Sequence, residues 1–291
     1  MGESVFLKTD IHVHIINGYM SLEERRNANK LLGISKCVLL SMPLASSEMA
    51  PGYKHITPEE ACQESKKNPE NVAWLCNVNP LDEANLYETL CHYKEMGASG
   101  VGEFSTRLLM DSPVMDNLFS ICEDLGLPFL FHMAPEDSSK YYGVVDDPRL
   151  PRLESMLKKH PKLIFIGHSQ PFWYEMAKTD ERDPNKRNSF PFGRITEEGR
   201  VAQLMREYPN LYCDLSANSG GNALMRDPEY AVKFMTEFKG RLMFGTDWVG
   251  GPFNYGLSGW LDMMLVNGAI EKDVYENICA NNAEKVFWSK R

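Results

Sequence analysis

Apolar and polar positions alternate along the chain in two rhythms. Short apolar runs recur at Val5–Ile16, Ile34–Leu40, Val72–Val78, Gly100–Phe104, Pro128–Met133, Lys162–Gly167, Leu211–Leu215 and Arg241–Gly245. Such runs, bounded by turn residues, predict strands buried on both faces. Between them lie stretches with helical start and stop signals. Ser21 and Glu24 form a capping box for a helix over 21–32, closed by Gly33. Thr57 caps a helix to Lys67 with Pro58 at its first position. Further helices are predicted over 82–96, from Ser112-Pro113 to Leu125, from Asp147-Pro148 to His160, over 196–208, near 228–238, over 257–266 and over 272–286. The segments 41–55, 169–193 and the Gly-rich 216–222 read as loops.

Eight strands alternating with helices require parallel pairing, because each helix must cross over. Eight is the number that closes a (β/α)8 TIM barrel, so the fold predicted is a single α/β domain over 1–291 with extra C-terminal helices. An open doubly wound sheet would carry a Gly-rich phosphate loop after its first strand, and none is present.

Composition narrows the class. The 291 residues are 43% hydrophobic and 24% charged, with net charge −9 and no long basic run. Nucleic acid and anionic membranes are therefore excluded as partners. Met1–Ser4 do not begin a signal peptide or a myristoylation site. No run of about 18 apolar residues offers a membrane span. The seven cysteines are scattered, odd in number and without a Cys-x-x-Cys pair. They read as reduced core residues of a cytoplasmic protein.

The chemistry gathers at strand ends. His12 and His14 share one face of the first strand, since alternate side chains point the same way. Glu103, His132 and His168 end strands four, five and six, and Asp247 follows strand eight. In a (β/α)8 barrel these six metal-competent side chains converge on one rim. Imidazole and carboxylate donors suit zinc, manganese or iron. Asp10 is read as a carboxylate that orients a ligating imidazole. Asp214, on strand seven, is read as facing between strands and helices. His55, His92 and His160 are not read as ligands; His55 is placed on the surface.

His12-x-His14, Phe131-His132, Gly167-His168-Ser169 and Gly245-Thr246-Asp247, with the closing Asn282-Ala283-Glu284-Lys285-Val286-Phe287, resemble the amidohydrolase superfamily, in its amidohydrolase-2 branch. The resemblance spans nearly the whole chain. It implies one or two divalent metals per chain, zinc foremost, held by His12, His14, His132 and Asp247. Glu103 implies a second arrangement. There His12, His14, Glu103 and Asp247 form one site, and Glu103, His132 and His168 the other. The alternative for Glu103 is an ion pair with Arg107.

The catalytic residues implied are Asp247, as proton shuttle, and His168, as a ligand or a free imidazole beside the scissile carbonyl. The expected activity is a metal-dependent hydrolase cleaving an amide, lactone or ester of a small molecule with activated water. Its rivals are a single-metal non-oxidative decarboxylase of an aromatic or unsaturated acid, and a non-catalytic barrel with a structural metal. Arg107, Trp173 and Trp248 are the expected substrate contacts. The segment 180–194, with Arg182, Lys186, Arg187 and Arg194, reads as a solvated loop rather than a cationic lid. A homodimer is the assembly expected of such an enzyme.

Overall fold

The apolar runs become strands where their side chains can be covered on both sides. The computed structural model describes residues 6–16, 22–43, 55–81, 84–248 and 256–289. The predicted cap Ser21, the helix start at Asp82, Val5, Met1–Ser4 and most of the 41–55 loop lie outside the described residues. The strands are β1 (Lys8–His14), β2 (Ile34–Leu40), β3 (Val72–Leu75), β4 (Val101–Phe104), β5 (Phe129–Ala134), β6 (Phe165–His168), β7 (Leu211–Asp214) and β8 (Leu242–Met243). All neighbours pair in parallel, in the order β1-β2-β3 and β4-β5-β6-β7-β8. A two-residue strand, Val144–Val145, lies beside β5.

Backbone bonds join the two arcs into a TIM barrel. Gly102 N donates to Cys76 O at 2.8 Å across β3 and β4. Ile11 N donates to Phe244 O at 3.1 Å, and Asp247 N to His12 O at 2.9 Å, across β8 and β1. Alternation then sorts the side chains into two layers. Val13, Leu39, Trp74, Phe129, Phe165 and Cys213 face the surrounding helices. Ile11, Val38, Leu40, Ala73, Leu75, Leu130, Ile166 and Met243 fill the interior. Ala283, Val286 and Phe287 of the helix Asn282–Phe287 pack onto this inner layer and close its amino-terminal end. Just before that helix the chain widens to a π-turn over Asn277–Asn281, and the Ile278 carbonyl accepts from Phe244 N at 2.9 Å.

Capping chemistry sets several helix ends as the sequence predicts. The Thr57–Glu60 capping box is complete, and Ser112 caps Pro113–Leu125, which Gly126 closes at φ 65°. Three expectations are corrected. The helix expected from Asp147 starts at Pro151, because Asp146 reaches over the turn: its carboxylate accepts from Arg152 N at 3.1 Å and Leu153 N at 2.8 Å. The segment 169–193 is not one loop but carries short helices, Gln170–Tyr174 and Pro184–Arg187. The Gly-rich 216–222 belongs to a helix, Ala217–Met225. Gly220 allows that helix to press on the end of β7, since a Cβ there would lie 2.3 Å from Leu215 O.

Candidate metal centre

Two bulges aim the donor side chains. Between the Asp10–Cys37 and Val13–Leu39 pairs, β1 carries one residue more than β2. β4 likewise carries one more than β5 between Val101–Phe129 and Phe104–Phe131. A bulge re-aims the side chains around it. Val13 and Phe104 stay in the outer layer, while His12, His14 and Glu103 meet inside the carboxyl-terminal mouth. His132 and His168 are register partners on β5 and β6. Ser169, at φ 88°, ties these strand ends together: its hydroxyl accepts from Met133 N at 3.0 Å and donates to Met133 O at 2.8 Å.

Four donor atoms form a cage. His12 Nε2 lies 3.1 Å from His14 Nε2, 3.4 Å from Glu103 Oε2 and 3.3 Å from Asp247 Oδ1. His14 Nε2 lies 3.2 Å from Glu103 Oε2 and 3.4 Å from Asp247 Oδ1. A tetrahedral cation with donors about 2.0–2.1 Å away spaces those donors by ~3.3–3.4 Å. The residues therefore fit a divalent metal. The other oxygens face a second group: Glu103 Oε1 is 2.7 Å from His132 Nδ1 and 3.6 Å from His168 Nε2, and Asp247 Oδ2 is 3.7 Å from His168 Nε2. Glu103 thus faces both donor groups and does not pair with Arg107.

Charge at the mouth is lopsided. Glu103, Asp214 and Asp247 converge on imidazoles in a largely buried space, and buried carboxylates demand a counter-charge. Burial works against a charge on His12, but Asp247, Asp214 and Glu103 outweigh it and hold its pKa well above the ordinary imidazole value. Burial would raise Glu103, yet the charge and hydrogen bond of His12, with bonds from His132 and His14, hold it well below the usual carboxylate range. His132 is pushed down by burial, against Glu103. A proton and a divalent cation are alternative answers to the same negative field.

Likeness to known proteins agrees with this geometry. An amidohydrolase family model matches residues 57–288. The chain belongs to the amidohydrolase family. The match begins at Thr57, so the two histidines of β1 lie outside it. The family is metal-dependent. No curated protein matches significantly. Among solved structures, a 2,6-dihydroxybenzoate decarboxylase from Rhizobium superposes with TM-score 0.61 at 18% identity, covering 98% of this chain and 99% of the other. A probable 2-pyrone-4,6-dicarboxylic acid hydrolase from Acinetobacter baumannii gives 0.56 at 11%, covering 96% and 98%. A dihydroxybenzoic acid decarboxylase from Polaromonas with bound manganese gives 0.55 at 18%, covering 94% and 87%. At these identities the likeness is one of fold.

The wall around this amidohydrolase's centre departs from expectation. Trp173 is corrected: at 2% exposure it packs in the outer core, its indole N–H donating to Asp214 O at 3.1 Å. Trp248 stands at the seam where the barrel closes. It is 7% exposed, with the Arg25 guanidinium 4.8 Å over its ring, and it pairs with Val13 at the β1–β8 seam. Arg107 is partly exposed and pairs with Asp137 at 3.2 Å. In the segment 180–194, Arg187 is a buried anchor donating to Pro135 O at 2.7 Å, Lys186 pairs with Glu181, and Arg194 pairs with Glu229.

Sequence reasoning missed four groups. His55 is not a surface residue: it is half-buried with its ring 4.9 Å from His14, and burial, with His14 beside it, pushes its pKa down to about 4. Tyr142 leans over His132, ring centroids 4.3 Å apart. Arg25 donates to Asp10 Oδ2 at 2.9 Å, Thr246 Oγ1 at 3.0 Å and Trp248 O at 2.9 Å, bracing the ends of β1 and β8. Asp10 serves that brace and accepts from the backbone of His12 and Thr246 rather than from an imidazole ring. The carboxylate behind the histidines is Asp214, whose Oδ2 lies 2.6 Å from His12 Nδ1. Alternation from Cys213, which faces outward, would have pointed it inward.

Proposed function

We propose that this amidohydrolase is a metal-dependent hydrolase that opens an amide, lactone or ester of a small molecule. The supporting observation is the position of Glu103, one oxygen turned to His12 and His14 and the other to His132 and His168. Two donor groups sharing one carboxylate suit a pair of cations, zinc foremost, with Asp247 turned toward both. The metal, when bound, supplies Lewis acidity and lowers the pKa of water. The protein's own part is proton handling and orientation. Asp247, a quarter exposed, is open to take a proton from water and return it to a leaving group. His168, behind it, completes the second donor group with Nε2 toward Glu103 Oε1 and Asp247 Oδ2. Tyr142 and His55 stand on either side as the proposed walls of the substrate site.

A second reading has its own observation. The 2.7 Å contact between His132 Nδ1 and Glu103 Oε1 has hydrogen-bond length, which suits one cation and a proton rather than two cations. That arrangement would serve non-oxidative decarboxylation, the activity named for the Rhizobium and Polaromonas proteins. Metal counting on the loaded protein, with assays on lactone, ester, amide and carboxy-aromatic panels, separates the two. Two metals and hydrolysis support the first reading. One metal with release of carbon dioxide overturns it.

A further inference from the structure

Behind the donor cage, a single oxygen faces two imidazoles. Asp214 Oδ2 lies 2.6 Å from His12 Nδ1 and 3.2 Å from His168 Nδ1. Ser216 fixes that oxygen: its hydroxyl donates to Oδ2 at 2.8 Å and stands 3.1 Å from His168 Nδ1, while its backbone N–H donates to Oδ1 at 2.9 Å. Asp214 and Ser216 are both fully buried. Gly245 leaves room for the carboxylate, since a Cβ there would come within 2.9 Å of Oδ1 and 3.1 Å of His12 Cβ. The two rings lie side by side, centroids 4.5 Å apart. Their Nδ1 atoms face backward to Asp214, and their Nε2 atoms face forward to Asp247 and Glu103.

We propose that Asp214 is a shared positioning residue that locks His12 and His168 together in the tautomer with the proton on Nδ1. A carboxylate oxygen accepts and does not donate, so each Nδ1 must carry the hydrogen. Each Nε2 is then left with a lone pair. For His12 that lone pair is the metal-ligating one. For His168 it makes the neutral ring a base or ligand, so the ring donates forward only as an imidazolium whose charge Asp214 offsets. One buried carboxylate therefore sets the ligand and the proton-handling group together. The role of the ligand rests on the reading of the cage as a metal site; the tautomer lock does not.

The test uses the full-length protein labelled with 15N-histidine. Nitrogen–proton correlation spectra of the metal-free protein, followed upward in pH until each ring holds a single proton, report which ring nitrogen keeps it, and competition against a chromogenic chelator reports zinc affinity. In the wild type, His12 and His168 are expected with Nδ1 protonated. In Asp214→Asn the amide can turn its NH2 toward the rings, both tautomers should revert, and zinc affinity should fall about 10- to 100-fold. Ser216→Ala, a milder change that covers failure of the Asn variant to fold, should disturb His168 and spare His12. Wild-type rings protonated on Nε2, or an Asp214→Asn protein with unchanged tautomers, overturn the proposal. A wild type that binds no zinc but shows the Nδ1 tautomers overturns the metal reading and leaves the lock standing.

Discussion

The two ends of the barrel solve opposite problems with the same strands. Toward the amino-terminal floor, Ile11, Val38, Ala73, Leu130, Ile166 and Met243 share an apolar layer with Ala283, Val286 and Phe287. There, burial itself is the stabilising term, at roughly 25 cal/mol per Å² of apolar surface. At the carboxyl-terminal mouth, the same strands end in His12, Glu103, His132, His168 and Asp214, all buried. Burial there is a cost, offset only by mutual hydrogen bonds, ion pairs and, on this account, a cation. The difference teaches that the floor carries the stability that lets the mouth hold chemistry. Bulges in β1 and β4 fall at the mouth, as do Ser169 and Asp247 with positive φ, a backbone conformation that costs a non-glycine residue about 1–3 kcal/mol.

The largest effect should come from the mouth's most accessible carboxylate. Asp247→Asn should lower turnover by about 10²–10⁴-fold, the range for loss of a general acid–base group. Its melting curve should move little, because the side chain is partly exposed. A large loss of stability with normal turnover would erase the division between the ends.

Next in size is the brace. Arg25→Ala leaves Asp10 charged, buried and short of its cation, which should cost about 3–5 kcal/mol. Chemical denaturation would measure it. The brace belongs to the mouth yet acts on stability, so this variant sharpens the comparison. Zinc affinity should fall as well, since β1 and the loop after β8 carry His12, His14 and Asp247. Phe287→Ala on the floor should also cost about 3–5 kcal/mol, but zinc affinity measured by chelator competition should stay within about two-fold. A floor variant that weakens metal binding as strongly as Arg25→Ala would break the contrast.

Much of the barrel was legible because its signals are local. Apolar runs, Thr57-Pro58, Ser112-Pro113 and Gly126 mark elements through chemistry within a few residues. The donor set was legible because alternation and strand ends place His12, His14, Glu103, His132, His168 and Asp247 at one rim. What stayed hidden depends on partners distant in sequence. Arg25 meets Thr246, and Asp214 meets His12, only once the barrel closes. The helix at 217–225 was hidden by its glycines, which here serve close packing rather than a loop. Trp173 lies just past a strand end, yet the short helix Gln170–Tyr174 turns it into the core.

The smallest effect is a pH dependence at the rim. His55 is held near 4 against an ordinary 6.5. Above about pH 6.5 it is neutral folded or unfolded, and makes no difference. As pH falls from 6.5 toward 4, the unfolded chain takes up a proton that the folded one resists, so stability is lost across that window. Melting curves of the wild type and His55→Gln should diverge there, with the variant less acid-sensitive.

The central claim is that four side chains from two strands and the loop after β8 were brought within bonding reach of one cation. A crystal structure of the zinc-loaded protein, with anomalous scattering recorded at the metal edge, tests it directly. The account predicts a peak about 2.0–2.2 Å from His12 Nε2, His14 Nε2 and at least one of the Glu103 and Asp247 oxygens. Full metal loading with no peak in that cage would contradict it.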